Sequence, residues 1–224
     1  MAKEPPVHGG HRERMRERFL THGLDNFAEH EVLELLLYYA IPRGDVNPTA
    51  HALLEEFGSL AAVLDADPLE LQKVSGVGAR ASELLHLMPP LFRRYRLSES
   101  NKGVFDTTEK VGRYLVNYYI GHVNELLTVI LLDNSCRMLS IQALAEGDPH
   151  SVKVNYRALM NAVLRYNAVS VILAHNHPGG TCVPSREDFI ETRMVRDFLQ
   201  KVGVKLVDHI IVAGAEWTSV NGYT

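Results

Sequence analysis

Val169-Ser170-Val171-Ile172-Leu173-Ala174-His175-Asn176-His177-Pro178 is the stretch on which the reading of this chain turns. The apolar run from Val169 to Ala174 has the character of a buried strand, and the histidines come directly after it. In an extended chain, side chains two apart project the same way. His175 and His177 therefore leave one face at the strand's end, as two nitrogen ligands of one metal would. Asp188, an oxygen donor, follows after Pro184 and the N-cap-type residue Ser185. Two histidines and an aspartate make three protein ligands. A catalytic zinc site uses three and leaves the fourth position to water, whereas a structural site is closed by four. That is a hydrolase arrangement.

A His-x-His pair also arises as an accident of surface or core. Ser185-x-x-Asp188 reads equally as a capping pair at the start of a helix, with Asp188 favourable in the first turn. The two roles coexist, because the cap fixes the helix that carries the ligand. Order decides for the metal: strand, two histidines, a Pro and Gly turn, N-cap, aspartate, amphipathic helix.

The rest of the chain sets the frame. Its 224 residues make one large or two small domains, and 46% hydrophobic with 22% charged residues describe a globular protein. No segment approaches the roughly 18 uninterrupted apolar residues of a membrane helix. Met1 to Arg18 has no apolar core and alternates Arg with Glu, unlike a secretory signal. Cys136 and Cys182 do not make a disulfide framework, so a reduced, cytoplasmic protein without membrane contact is expected. Cys182 lies in the site loop, but the two histidines and Asp188 already complete an open site, and it reads as a free thiol. The net charge of −4 argues against a strongly basic nucleic-acid binder. Residues 1–98 carry 11 Lys and Arg against 14 Asp and Glu, and residues 99–224 carry 12 against 13. Any contact with DNA is therefore local.

Residues 1–98 read as all helix. His30 to Ala40 is leucine-rich on more than one side, as in a buried helix. Pro42 and Arg43-Gly44-Asp45 break it. Asn47-Pro48 opens a helix with Ala52, Leu53, Leu54 and Phe57 on its apolar face, ended by Gly58. Short helices follow over Leu60 to Leu64 and Pro68 to Val74. A glycine turn leads into a helix through Leu87, which Pro89-Pro90 ends or interrupts before the basic run Arg93, Arg94 and Arg96. Ser98 to Gly103 is polar, and the linker is placed at residues 99–104. From residue 105 to 224 helix and strand mix. A helix capped by Thr107 or Thr108 runs to about Ile120, and Leu126 to Leu132 forms a strand with its hairpin partner in Met138 to Ala145. Asn155 to Tyr166 is a helix with Leu159, Met160, Val163 and Leu164 inward. The strand Val169 to Ala174, a helix from Ser185 to Val202 and a strand from Val204 to Val212 complete the set. A sheet covered by helices is implied for this half, and an α+β chain as a whole.

These residues resemble the RadC family. The resemblance lies in His175-Asn176-His177-Pro178, Pro184-Ser185, Asp188 and Asp208-His209-Ile210-Ile211-Val212, with Gly147 and Arg157 at the family's glycine turn and its arginine. It continues in His30-Glu31-Val32-Leu33-Glu34-Leu35-Leu36-Leu37, Phe57-Gly58-Ser59-Leu60 and Gly76-Val77-Gly78, and so covers nearly the whole chain. It implies a C-terminal JAB/MPN (JAMM) metallopeptidase-like domain, a cytidine-deaminase-like sheet, holding zinc and cleaving a peptide or isopeptide bond. Glu125, just before Leu126 to Leu132, occupies the place of the family's general base, with Glu146 as the alternative. Ser185 would help to stabilise the oxyanion. His209 reads as a neutral histidine packed in the fold or as a support for a ligand. Gly179 stands where the family has Ser, and Asp148 where it has Thr; neither removes a ligand.

The glycine turn has its own physics. Gly76 and Gly78 let the backbone turn tightly and approach another surface. Amides at the next helix's N-terminus can then cradle a phosphate. The pattern, over residues 69–88, resembles a helix-hairpin-helix that grips DNA backbone, with Lys73 and Arg80 flanking the phosphate. A plain tight turn between packed helices and a protein-docking element are its alternatives. The whole chain thus reads as a zinc hydrolase with a helical, DNA-contacting domain. The rival reading is a DNA-associated accessory protein of repair or recombination whose metal site is structural or inactive. A two-metal nuclease would favour clustered carboxylates instead.

Overall fold

The computed structural model describes residues 10–99, 103–147 and 154–223. Part of the expected linker (residues 100–102) and Asp148 lie outside these residues. The chain divides into two compact units, Met1–Leu91 and Phe92–Thr224. Among the described residues no helix is long and apolar enough to cross a membrane. The α+β class expected from the sequence is what the structure shows: helices first, then a sheet with helices.

The first unit begins with α1 (His11–His22), α2 (Glu29–Ala40), α3 (Asn47–Phe57), α4 (Leu60–Asp65) and α5 (Pro68–Leu71). The sixth helix, α6 (Ala79–Glu99), starts in this unit, and the division between the units falls within it. Leu33 and Leu37 of α2 are fully buried with Leu53, Val63, Leu71 and Leu85, the core that the leucine-rich stretch required. Gly58 ends α3 with φ +87, a left-handed C-cap that costs glycine nothing. α1 fits a half that reads as all helix, though no individual helix is legible before His30, because α1 buries only Met15 and shows almost no apolar stripe. One local expectation fails. Pro89 and Pro90 do not stop α6, which runs on to Glu99 and takes Arg93, Arg94 and Arg96 into the helix. Proline's fixed φ is itself helical, and what it forfeits is an N–H donor to the preceding turn.

In the second unit α7 (Thr108–Tyr118) precedes β1 (Glu125–Leu132), β2 (Met138–Gly147), α8 (Tyr156–Tyr166), β3 (Ser170–Asn176), α9 (Arg186–Gln200), β4 (Lys205–Ala213) and β5 (Glu216–Ser219). The sheet order is β2-β1-β3-β4-β5, antiparallel except for the pair β3 and β4, which α9 connects. Helices cover both faces. Leu126, Ile130, Ile172, Ala174, Ile210 and Val212 pack with Val111 and Leu115 of α7. Leu127, Val129, Leu131, Val171 and Leu173 pack with Leu159 and Val163 of α8 and Val195 and Leu199 of α9. Both strands are buried at every position, and burial on two sides explains their continuous apolar runs, Val129 to Leu132 and Val171 to Ala174. On α8 the inward stripe is Leu159, Ala162, Val163 and Tyr166, and Leu164, expected inward, is 71% exposed. The spacing i, i+3, i+4, i+7 selects the first four and leaves the next position outside.

Candidate metal centre

The site grows from the end of β3. Leu127 of β1 lies opposite His175 in an antiparallel register. Continuing that register sets Glu125 beside residue 177, so Glu125, His175 and His177 share one face. Each offers a ligand atom within 4.8 Å of the others'. Asp188 comes from α9 on the same side. Its Oδ1 is 3.2 Å from His175 Nε2, and its Oδ2 is 4.0 Å from His177 Nε2. Glu125 Oε1 stands 4.0 Å from His175 Nε2. Two carboxylates therefore border the imidazole pair. The tight grouping favours Glu125 as a third ligand, while the shorter contact favours Asp188. The direct 3.2 Å approach carries more weight, since Glu125 comes no closer to His175 than 4.0 Å.

Local structure aims each group. His177-Pro178-Gly179-Gly180 turns back on itself, with the Gly180 N–H donating to the His177 carbonyl at 3.2 Å. Gly179 has φ +67. Proline followed by a positive-φ glycine is the type II pattern, which gives Gly179 a backbone reason to stand where the family has Ser. The turn brings the Thr181 carbonyl 2.8 Å from His177 Nδ1. Ser185 caps α9: its Oγ accepts from the Asp188 N–H at 3.1 Å and donates to Asp188 Oδ2 at 2.7 Å. The Ser185 N–H donates to the same oxygen at 2.7 Å. Capping and carrying Asp188 are thus one arrangement. Burial opposes the charged form of Asp188. The hydrogen bond and charge that His175 offers when protonated, together with both Ser185 bonds, outweigh it and hold the carboxyl well below its usual range.

Three more residues support the site, and sequence reasoning gave two of them no role there. Asn176, between the histidines, accepts from the Leu126 N–H at 2.8 Å and donates to the carbonyls of His122 and Asn124. It ties the approach to Glu125 onto β3. Thr192 donates to the Asp188 carbonyl at 2.6 Å and lies 2.6 Å from His209 Nδ1. Its position one turn after Asp188 was the available signal. His209 Nε2 is 2.8 Å from His175 Nδ1. Burial, then the charge of His175, holds His209 well below the ordinary histidine range and hence neutral. A bulge aims it: Val171 pairs with Leu206 and Ile172 with Asp208, leaving Val207 as an extra residue in β4. Leu206 and His209 then share a face, and Asp208 turns to the other, where Ser219 and Thr108 donate to it.

The donor set can be tested for a cation. The Thr181 carbonyl only accepts, so His177 Nδ1 donates to it and Nε2 is the nitrogen turned to the site. The same reasoning through Thr192 and His209 makes His175 Nδ1 a donor and turns its Nε2 to the site. These two nitrogens face each other at 2.9 Å, with carboxylates beside them. Converging acceptors repel unless a positive charge lies among them. Two ligands at about 2.0–2.1 Å from a tetrahedral zinc sit about 3.3 Å apart, so a small spread seats the ion. The residues fit a metal. His175 is 2% exposed and His177 22%, which leaves the His177 side open.

Other expected residues lie elsewhere. Glu146 pairs with Leu126, so it projects on the α7 face, exposed, away from the histidines. Gly147 pairs directly with Glu125, and Arg157 lies exposed on α8. Cys182 and Cys136 are free and half-buried. In the helical unit Gly76 has φ +88, and a Cβ there would run into the Thr49 hydroxyl, whereas one at Gly78 would meet nothing. Lys73 is engaged with Glu70, its Nζ 2.6 and 2.5 Å from the two carboxylate oxygens. Arg80 is exposed at the start of α6.

A buried strand end that presents two imidazoles to flanking carboxylates defines a candidate metal centre in a mixed sheet domain. Residues 105–223 match the family described as the RadC-like JAB domain, and residues 9–82 match the UPF0758 N-terminal family. A UPF0758 protein of Fusobacterium nucleatum subsp. nucleatum is 36% identical over 213 residues, 91% of each chain. One of Rhodobacter capsulatus is 33% identical over 199 residues, 88% of this chain and 93% of the relative. One of Idiomarina loihiensis is 34% identical over 217 residues, 96% and 94%. The chain belongs to the RadC-like JAB domain family, with an N-terminal UPF0758 domain.

Proposed function

We propose that the second unit is a zinc-dependent hydrolase of peptide or isopeptide bonds. The single observation that carries this reading is the pair of imidazole Nε2 atoms 2.9 Å apart beside two carboxylates. His175, His177 and Asp188 would hold the ion. Zinc, when bound, supplies Lewis acidity at a carbonyl and lowers the pKa of water to about 7. Glu125 is the general base in this reading: buried next to the histidines, it takes the proton of the attacking water and returns it to the leaving amine. Ser185 donates its proton to Asp188 and has to turn from that carboxylate to meet an oxyanion, so its standing work is to hold the ligand. The open side at His177 is where a substrate carbonyl approaches.

The test has two parts. Metal analysis of purified protein should give about one zinc per chain, lost in His175→Ala with His177→Ala. Zinc retained by that double variant removes the site assignment. Glu125→Gln should keep the zinc and abolish cleavage of a fluorogenic peptide and isopeptide library; cleavage at the wild-type rate removes the base.

For the helical unit we propose contact with DNA backbone at Lys73, Gly76, Gly78 and Arg80. The space around Gly78 at the start of α6 and the exposed Arg80 favour it. Gly78→Val and Arg80→Ala should weaken a salt-dependent shift of duplex DNA. No shift of wild-type protein at low salt favours docking to a protein instead.

A further inference from the structure

We infer that His209 and Thr192 are positioning residues that lock His175 into the tautomer whose Nε2 faces a cation. This deepens the metal-centre reading and rests on it. The argument is one of hydrogen-bond direction. The Asp188 carbonyl only accepts, so the single Thr192 proton goes to it at 2.6 Å. Thr192 Oγ1 must then accept from His209 Nδ1–H, 2.6 Å away. His209 is 1% exposed and its ring nitrogens face a hydroxyl and an imidazole, neither an anion. A buried imidazolium without an anionic partner is costly, so Nε2 of His209 carries a lone pair. His175 Nδ1–H donates to it at 2.8 Å, which makes Nε2 the nitrogen turned toward Asp188 and His177. The chain of bonds closes a loop. It leaves Asp188 by its carbonyl and returns to it at the carboxylate, 3.2 Å from His175 Nε2, tying both groups to one geometry. The bulge at Val207 exists on the same face change that brings His209 here.

Partners of this kind behind a ligand typically alter metal affinity about 10–100-fold. Zinc affinity is measured by competition with a chromogenic chelator on metal-stripped protein. Thr192→Val, close to isosteric, and His209→Leu should weaken zinc by that factor, while Thr192→Ser and His209→Gln, which can restore the acceptor and donor, should recover most of it. Thr192→Val keeps the test intact if His209→Leu fails to fold. Long-range proton–nitrogen spectra of the zinc-free wild type should show His175 protonated on Nδ1, with that preference lost in Thr192→Val. Unchanged zinc affinity in folded Thr192→Val, or a wild-type His175 without a proton on Nδ1, overturns the inference. If wild type takes up no zinc, the hydrolase reading fails, and the tautomer in the same sample still decides for or against the lock.

Discussion

Replacing Asn176 with alanine should destabilise the sheet unit although Asn176 is neither an expected ligand nor the expected base. Its amide makes three bonds to the start of β1 and the segment before it: from the Leu126 N–H at 2.8 Å, and to the carbonyls of Asn124 at 3.0 Å and His122 at 3.2 Å. Leu126 is 4% exposed, so its N–H finds no water once the side chain is truncated. A buried donor left without a partner costs about 1–3 kcal/mol. The two carbonyls belong to a half-buried and an exposed residue, where water replaces most of the bond, at about 0.5 kcal/mol each. The expected loss is therefore about 2–4 kcal/mol. At about 2.1 cal/mol/K per residue of unfolding entropy, a unit of this size loses about 4 °C per kcal/mol, or about 8–16 °C in all. Trp217 is the chain's one tryptophan and packs in this unit, so urea unfolding of zinc-free protein followed by its fluorescence reads the right transition. Asn176→Asp separates the parts: it keeps an acceptor for the Leu126 N–H but sets a carboxylate against two carbonyls, and should be no more stable than alanine. An Asn176→Ala protein within about 0.5 kcal/mol of wild type would falsify the clamp.

Further expectations concern both units. Glu31 is lowered to about 2, first by the Arg18 hydrogen bonds and then by the Ala28 N–H. Its folded value lies below its unfolded one, so this stabilisation is complete at neutral pH, fades below about pH 5 and is gone near pH 1. Both partners are exposed enough that screening keeps the effect small. Circular dichroism should show Arg18→Ala less stable than wild type at pH 7 and level with it near pH 1. Gly76→Ala places a Cβ against Thr49 at φ +88 and should cost about 1–3 kcal/mol, with part recovered by Thr49→Ala; Gly78→Ala should cost far less. Leu131→Ala, at a fully buried position between α8 and α9, should cost about 2–5 kcal/mol by urea unfolding, and a value under 1 would deny it a core role.

Much of the fold could be read from local pattern because local pattern is what produced it. Asn47-Pro48 and Gly58 bracket α3, Asn155 and Ser185 cap α8 and α9, and the apolar runs at residues 126–132 and 169–174 correspond to β1 and β3. What escaped has a common cause. The buried share of α1 is a single methionine, and β5 is four residues long with its meaning only in pairing with β4. The continuation of α6 through Pro89 and Pro90 was hidden because a proline in sequence announces lost donors but not whether the helix survives their loss.

The site divides along the same line. His175, His177, Ser185 and Asp188 follow one another within two elements, and their spacing carries the chemistry without any knowledge of partners. Glu125 needed a register: only the opposition of Leu127 to His175 brings it to the histidines, and only the opposition of Leu126 to Glu146 sends that carboxylate to the other face. His209 needed more, since strict alternation from Leu206 would have turned it toward α7. The extra residue at Val207 reverses the alternation within β4 and trades the places of Asp208 and His209. A bulge leaves no mark in composition or periodicity beyond a break that looks like noise. Yet on it depends whether an imidazole or a carboxylate stands behind His175. A carboxylate there would add a negative charge to a site already bordered by two, whereas a neutral histidine orients the ligand and leaves the charge of the centre to Glu125 and Asp188.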